Sequence, residues 1–227
     1  IFLACGNGVL RTLDNSASWT VTTGWEITEV LDVVVDPNAP THVYVATAYG
    51  VWHSPNQGET WTETNRGIPA PTATFTPAIA ADRRQAGHLV VGSEEGLFRT
   101  TSGASSWAPV GPRDVAIRDV AQSSADPALW LAGTEADGVL RSRDGGKTWA
   151  RVEEDVGMET IYAVDVDPAN ADRMAAAGFE GGVFVSEDGG ETWRRSGLTD
   201  RRIHALAFDA RGSGRLWAGT LGDGVFY

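Results

Sequence analysis

The chain has 227 residues with nine tryptophans, 27 glycines and one cysteine, and its formal net charge is −12 at pH 7. A chain of this length can bury a sizeable core by itself, and the lone Cys5 excludes an intramolecular disulfide and a cysteine-based zinc site. The acidic balance argues against nucleic-acid binding, which needs a basic surface, and the apolar runs are too short for a membrane-spanning helix.

Repeated segments along the chain predict pairs of short strands that are joined by a tight turn. In chain order they are IFLACGNGVLRT from Ile1, VYVATAYGVWHS from Val43, HLVVGSEEGLFRT from His88, LWLAGTEADGVLRS from Leu129, RMAAAGFEGGVFVS from Arg173 and RLWAGTLGDGVFY from Arg215. In the fifth repeat a further apolar run, IYAVDVDP, precedes the pair and TWRRS follows it. Short apolar runs between turn formers, without a helical i, i+3, i+4 stripe, are typical of strands.

The repeat keeps a nearly constant period. The anchoring glycines are Gly8, Gly50, Gly96, Gly138, Gly182 and Gly224, and the steps between them are 42, 46, 42, 44 and 42 residues. Five tryptophans follow the same spacing, namely Trp19, Trp61, Trp107, Trp149 and Trp193. Four strands in ~43 residues are typical of one β-propeller blade. The repeats cover approximately residues 1–30, 31–74, 75–115, 116–159, 160–201 and 202–227.

The chain begins in a second strand of the repeat and stops after a third strand. The first blade therefore lacks its inner strand and the last blade lacks its outer strand. We predict an all-β propeller of four-stranded blades, a single domain over residues 1–227, with six blades of which the two terminal ones are incomplete. Five blades with an overhang, or a larger ring of which this chain is a part, are the alternatives.

A recurring octapeptide joins the third and fourth strands. It reads SRDGGKTW over residues 142–149 and SEDGGETW over residues 186–193. This pattern resembles the Asp-box, or BNR repeat, Ser-x-Asp-x-Gly-x-x-Trp, which occurs in sialidases, sortilin-type receptors, xyloglucan-degrading glycosidases and photosystem II assembly factors. The resemblance covers the whole chain, implies a β-propeller and favours an extracytoplasmic location, secreted or periplasmic.

The Asp-box residues have a structural interpretation. The carboxylate can accept backbone N–H groups of its own turn, the glycine supplies a positive φ, and the tryptophan covers the hairpin. Three copies are altered, because Ser16 replaces the glycine after Asp14, Asn56 replaces the aspartate, and Ser102 and Ala104 replace both. A structural turn tolerates such losses and a catalytic set does not. We therefore assign structural roles to Asp14, Trp19, Asn56, Trp61, Trp107, Asp144, Trp149, Asp188 and Trp193.

The candidate binding site lies in the loops opposite the boxes. In the proteins that this chain resembles, the boxes share one face with the turns between strands one and two, and the opposite face holds the ligand site. Mapping the loops of that face gives carboxylates, arginines and a few aromatic side chains. The candidates are Trp25, Glu26, Tyr49, Arg118, Glu135, Asp137, Phe179, Glu180 and Arg202. We predict no cofactor and no metal site.

Three aspartates stand apart from these loops. Asp32, Asp119 and Asp165 lie on inner strands. They face either a central channel, where a ring of carboxylates could hold water or a cation, or the interface with a neighbouring blade.

The candidate residues allow more than one function. Paired carboxylates about 5–10 Å apart, with aromatic side chains for stacking, would suit glycoside hydrolysis. The same groups could bind a sugar or a basic patch of a protein, or form only a solvated surface. A sialidase is disfavoured, because the chain lacks the Arg-Ile-Pro motif of those enzymes. We interpret the chain as a non-catalytic binding module for a protein or glycan partner; the alternative is a glycan-active hydrolase or lectin. The oligomeric state is left open.

Overall fold

The computed structural model describes residues 1–70, 74–152, 160–178 and 181–227. These residues form only strands and turns, and none of them belongs to a helix long and apolar enough to cross a membrane. The chain divides into two compact units, Ile1–Pro109 and Val110–Tyr227.

Three antiparallel sheets come from the first half of the chain, and in each of them the strand order follows the chain. Sheet I contains β1 (Phe2–Cys5), β2 (Gly8–Arg11) and β3 (Thr20–Val21). Sheet II contains β4 (Val30–Val35), β5 (Val43–Thr47), β6 (Gly50–Ser54) and β7 (Thr62–Glu63). Sheet III contains β8 (Ala78–Ala81), β9 (Leu89–Ser93), β10 (Gly96–Thr100) and β11 (Ala108–Arg113).

Three further sheets follow with the same order of strands. Sheet IV contains β12 (Ile117–Gln122), β13 (Trp130–Thr134), β14 (Val139–Ser142) and β15 (Ala150–Arg151). Sheet V contains β16 (Ile161–Val166), β17 (Met174–Gly178), β18 (Gly182–Ser186) and β19 (Arg194–Gly197). Sheet VI contains β20 (Ile203–Phe208), β21 (Leu216–Thr220) and β22 (Gly224–Phe226).

These six sheets confirm the predicted all-β propeller fold with six blades. Sheet I begins with the strand that corresponds to β5, and sheet VI ends with the strand that corresponds to β6. The terminal blades are thus the incomplete ones, as the repeat predicts. The assignment of the whole chain to one domain stays a prediction.

The tight turn between the second and third strands is built the same way in most sheets. In sheet II the hydroxyl of Thr47 donates to the carbonyl of Gly50 at 2.8 Å. Gly50 has a φ of 116°, and a Cβ there would lie 2.2 Å from the side chain of Asn65. The same bond recurs from Ser93 to Gly96, from Thr134 to Gly138, from Thr220 to Gly224 and, with a thiol donor, from Cys5 to Gly8. The glycine period therefore follows from the geometry of this turn.

The core lies between neighbouring sheets. The second strands β5, β9, β13 and β17 are buried along their whole length, because both faces of each pack on other sheets. Tyr44 and Val51 of sheet II share one apolar cluster with Val91 and Phe98 of sheet III. Small residues allow neighbouring sheets to approach closely, since a Cβ on Gly133 would lie 2.7 Å from the Ile161 carbonyl oxygen.

Aspartates on the inner strands connect neighbouring sheets. The bonds run from the N–H of Ile79 to Asp32 (2.9 Å), of Val164 to Asp119 (2.8 Å) and of Phe208 to Asp165 (2.7 Å). The other oxygen of each carboxylate accepts the N–H of the next residue in its own strand. Burial raises the pKa of Asp32, although its two backbone hydrogen bonds act in the opposite direction. These aspartates are therefore interface residues, which decides between the two positions that the sequence allows.

Candidate functional site

The two ends of each sheet carry different loops. At one end, the Asp-box accompanies the turn between strands one and two. The backbone bonds that join them run from Gln57 N–H to the Thr41 carbonyl, from Gly103 to Gly87, from Gly145 to Ala128 and from Gly189 to Asp172, at 2.8–2.9 Å. We call this the box end of a sheet.

At the opposite end, the turn between strands two and three contacts the loop that leads into strand one. These bonds run from Ala48 N–H to the Glu29 carbonyl (3.1 Å), from Glu135 to Ala116 (2.9 Å) and from Leu221 to Arg202 (2.9 Å). The candidate residues of the two loop classes therefore share this end of their sheets. We call it the opposite end.

The Asp-box of sheet IV is a closed hydrogen-bond network. Asp144 Oδ1 accepts the backbone N–H groups of Lys147 (3.0 Å) and Thr148 (2.9 Å), and Oδ2 accepts the Thr148 hydroxyl (2.7 Å). Ser142 donates its hydroxyl to Asp144 and accepts the N–H of Gly146. Asp188 makes the same set of bonds in sheet V. Within each box the carboxylate is thus occupied by its own turn.

These hydrogen bonds lower the pKa of the box carboxyl groups. Partial burial acts to raise the pKa of Asp144, but the bonds from Thr148, Ser142 and Lys147 together outweigh it and lower the pKa to about 2. The pKa of Asp188 also falls to about 2, chiefly through the Thr192 hydroxyl, and that of Asp14 does so chiefly through the Ser18 hydroxyl. Such carboxylates are poor proton donors at neutral pH.

The altered boxes keep the same backbone geometry. Asn56 Oδ1 accepts the N–H of Thr60 at 2.9 Å, so that the amide oxygen replaces the carboxylate. Ser16 and Ala104, which stand where other copies have glycine, hold the positive φ values of 70° and 66°. The turn is therefore retained where its preferred residues are lost.

The box tryptophans join their box to the preceding sheet in two cases. Trp61 donates its indole N–H to the carbonyl of Thr22 at 3.1 Å, and Trp107 donates to the carbonyl of Thr64 at 2.7 Å. Trp149 instead donates to Gly146 within its own box. Trp19 is 40% exposed, and Trp193 packs at the edge of the core between sheets IV and V.

In the first unit, the candidates at the opposite end present aromatic surface to solvent. Trp25 is 91% exposed and Tyr49 is 58% exposed. The Tyr49 hydroxyl donates to Glu29 at 3.1 Å, and this bond, together with the charge of Glu29, raises the pKa of Tyr49. Glu26 is exposed and folds back over Gly24, where an added Cβ would lie 2.2 Å from its carboxylate.

In the second unit, the candidate carboxylates form ion pairs with arginines. Arg118 binds Glu135, and Arg151 lies 3.2 Å from Asp137. Arg202 is exposed, and its neighbour Arg201 binds Asp223 at 2.8 Å. Arg151 is not among the residues that the sequence pattern predicts, and the pairing of β15 with β14 places it beside the turn that carries Asp137.

The remaining two candidates, Phe179 and Glu180, lie outside the described residues. Within the described part of the chain, no group of three or more His, Cys, Asp or Glu side chains could hold a metal ion.

A cavity of about 400 Å³ lies in the second unit, and its lining includes none of these candidates. It is lined by β18 and β19 of sheet V, by β21 and β22 of sheet VI, and by residues directly before or after these strands. Its lining residues are Val183, Ser196, Gly197, Leu198, Arg215, Leu216, Ala218, Phe226 and Tyr227. The lining contains no carboxylate, so this cavity is not the site for paired acids that a hydrolase needs.

Comparisons with known proteins agree with this architecture. The BNR/Asp-box repeat family matches residues 184–195. An oligoxyloglucan-reducing end-specific xyloglucanase of Emericella nidulans is 27% identical over 167 residues, which are 66% of this chain and 20% of that protein. The chain thus spans about a fifth of the length of the curated relatives that it matches.

Two solved structures are similar in fold. An ancestral GH74 enzyme is 27% identical with a TM-score of 0.72, and the match covers 85% of this chain and 27% of the enzyme. A structure of YCF48 bound to D1 peptide is 16% identical with a TM-score of 0.72, over 99% of this chain and 72% of that one. The 16% identity to YCF48 shows a likeness of fold alone. The chain therefore carries the BNR/Asp-box repeat in a β-propeller of six blades.

Proposed function

We propose that the protein is a non-catalytic binding module that recognises a protein or carbohydrate partner through the opposite ends of its sheets. The observation that carries the proposal is the pairing of the candidate carboxylates with arginines. Glu135 and Asp137 are bound by Arg118 and Arg151. Such pairs present fixed, polar, hydrogen-bonding groups to a partner.

Glycoside hydrolysis would need a different arrangement. It uses one carboxylic acid that donates a proton and a second carboxylate about 5–10 Å away. Glu135 and Asp137 are instead each engaged by an arginine, Arg118 and Arg151. The exposed rings of Trp25 and Tyr49 suit binding without catalysis, because aromatic rings stack on sugars and anchor protein interfaces.

The two classes of partner both have support among similar proteins. YCF48 is solved with a peptide bound, and GH74 enzymes and xyloglucanases are named for a carbohydrate. For this chain we keep both classes, since the same polar and aromatic groups serve either.

A binding screen tests the proposal. The purified protein is passed over arrays of oligosaccharides, including xyloglucan fragments, and of peptides. We expect a ligand whose affinity falls about tenfold or more in Trp25→Ala or in the double variant Glu135→Gln and Asp137→Asn. The control is Trp217→Ala, which removes another partly exposed tryptophan from sheet VI. A ligand that responds only to the control would contradict the proposed surface.

The second candidate is a glycan-active hydrolase, which the 27% identity to a xyloglucanase and to a GH74 enzyme favours. Its test is the release of reducing sugar from xyloglucan by the purified chain. Activity that one Asp or Glu substitution removes, with substrate binding retained, would replace the binding module by the hydrolase.

A further inference from the structure

Two histidines of sheet II contact each other across neighbouring strands. His42 directly precedes β5, and His53 lies in β6 opposite Tyr44. The Nδ1 atom of His42 is 2.9 Å from the Nε2 atom of His53, and both residues are partly exposed. The sequence does not predict this pair, because the two histidines are 11 residues apart and only the pairing of the strands brings them together.

The pair is particular to sheet II. The third residue after the anchoring glycine is arginine in sheets I, III and IV and histidine in sheet II. Arg11 of sheet I and Arg141 of sheet IV each donate to a backbone carbonyl in the box of the next sheet. In sheet II, His53 instead contacts His42 and Tyr44 of its own sheet. The repeated fold therefore does not require a histidine at this position.

The distance between the two nitrogens suits a metal ion. A neutral imidazole carries its proton on either ring nitrogen, so both nitrogens of the contact become ligands when each ring carries its proton on the other nitrogen. With metal–nitrogen bonds of about 2.0–2.1 Å, two ligands at a right angle lie about 2.9 Å apart, and two at the tetrahedral angle lie about 3.3–3.4 Å apart. The observed 2.9 Å matches the right angle of tetragonal copper(II) and nickel(II) sites.

We propose that His42 and His53 bind a divalent transition-metal ion through Nδ1 and Nε2, with copper(II) held most tightly. Imidazole is a good ligand for copper, and copper(II) has the highest affinity of the divalent first-row ions for a given set of ligands. Water completes the coordination of the ion, and the net charge of −12 favours a cation. The site lies at the box end of sheet II, where Thr41 accepts the N–H of Gln57, and it is independent of the surface assigned under the proposed function.

Calorimetric titration of the purified full chain with copper(II) chloride tests the proposal. We expect saturable binding of one ion per chain, with nickel(II) and zinc(II) bound more weakly. The electron paramagnetic resonance spectrum of the copper(II) complex should show splitting from two nitrogen ligands. The proposal would be overturned by the absence of saturable binding at about 1 mM copper(II), by a spectrum without nitrogen splitting, or by zinc(II) binding as tightly as copper(II).

Two variants that use residues of the repeat itself locate the site. His53→Arg introduces the arginine of sheets I, III and IV, and His42→Leu introduces the residue that Leu129 provides in sheet IV, so we expect both variants to fold. Each should weaken copper(II) binding about tenfold or more, because each removes a ligand.

The control is His88→Gln, which changes the counterpart of His42 in sheet III and should bind copper(II) as the parent does. Circular dichroism checks that every variant is folded. Copper(II) binding that both histidine variants retain would overturn the proposal. Binding that is lost in Cys5→Ser and retained in His53→Arg would also overturn it, since thiols are copper ligands too.

Discussion

The Nδ1 atom of His42 lies 2.9 Å from the Nε2 atom of His53, and the two rings are stacked with their centroids 5.0 Å apart. Tyr44 also stacks on His53, with the ring centroids 4.4 Å apart. Burial, followed by the charge of His42, lowers the pKa of His53 from 6.5 to about 4. One ring nitrogen must accept the hydrogen bond, so the pair is compatible with at most one added proton.

This pair predicts a loss of stability in mild acid. Because the folded state disfavours the charged ring, its contribution is complete above pH 6.5 and is lost as the pH falls toward 4. We expect a loss of about 1–2 kcal/mol in the free energy of unfolding, less than the full shift implies, because the ring is only partly buried. Urea denaturation at several pH values checks it. His53→Gln should flatten this part of the profile, and an unchanged profile in this variant would contradict the assignment.

The aspartates between sheets predict a second effect. Asp32→Ala leaves the N–H groups of Val33 and Ile79 without their acceptor, and we expect the free energy of unfolding to fall by about 1–3 kcal/mol. Asp200→Ala, at an exposed loop position, is the control and should cost less than about 0.5 kcal/mol. Chemical denaturation measures both. If the two variants lowered the free energy of unfolding equally, the cross-sheet hydrogen bonds would contribute nothing to stability.

The Asp-box of sheet IV predicts a difference between two substitutions of one residue. Asp144→Ala removes the acceptor of two backbone N–H groups and should lower the free energy of unfolding by about 1 kcal/mol, since the turn is open to water. Asp144→Asn should retain most of this stability, because Asn56 makes the equivalent bond to Thr60.

The same box predicts a dependence of stability on pH. The pKa of Asp144 is lowered from 3.8 to about 2, so its contribution is present above pH 4 and is lost as the pH falls toward 2. Thermal melting between pH 2 and 7 should show a shallower loss of stability for Asp144→Asn than for the parent, because Asp188 and Asp14 still contribute in the variant. An unchanged acid profile in that variant would contradict the assignment.

Cys5 predicts a stabilising substitution. Its thiol donates to the Gly8 carbonyl at 3.1 Å, whereas threonine hydroxyls make this bond from Thr47, Thr134 and Thr220. Since a hydroxyl is the stronger donor and threonine favours strands, we expect Cys5→Thr to raise the free energy of unfolding by about 0.5–1 kcal/mol. The control is Cys5→Val, because valine has the shape of threonine without its hydroxyl group. If it were equally stable, the hydrogen bond would not be the cause.

The sequence predicts those features that one repeat determines by itself. Gly50 is required by a turn of four residues, and Trp61 by a box of eight, so both recur at a fixed period and can be recognised without the structure. The sequence leaves the role of Asp32 open, because the carboxylate accepts the N–H of Ile79, which lies 47 residues further along the chain. The ion pair of Asp137 with Arg151 was missed for the same reason, since it depends on which residue the fourth strand places beside the turn.

The hydrogen bonds between sheets also determine where the molecule begins to unfold. Within each unit, an inner-strand carboxylate or an outer-strand indole fastens one sheet to the next, so a sheet cannot loosen without releasing donors in its neighbour. Sheet VI receives such a bond through Phe208 but has an exposed outer edge. Sheet VI should therefore open more readily than sheet V, and amide protons of β22 should exchange with solvent sooner than those of β17. Neighbour-to-neighbour coupling of this kind gives a chain of repeats an order of unfolding, even though every repeat has nearly the same sequence.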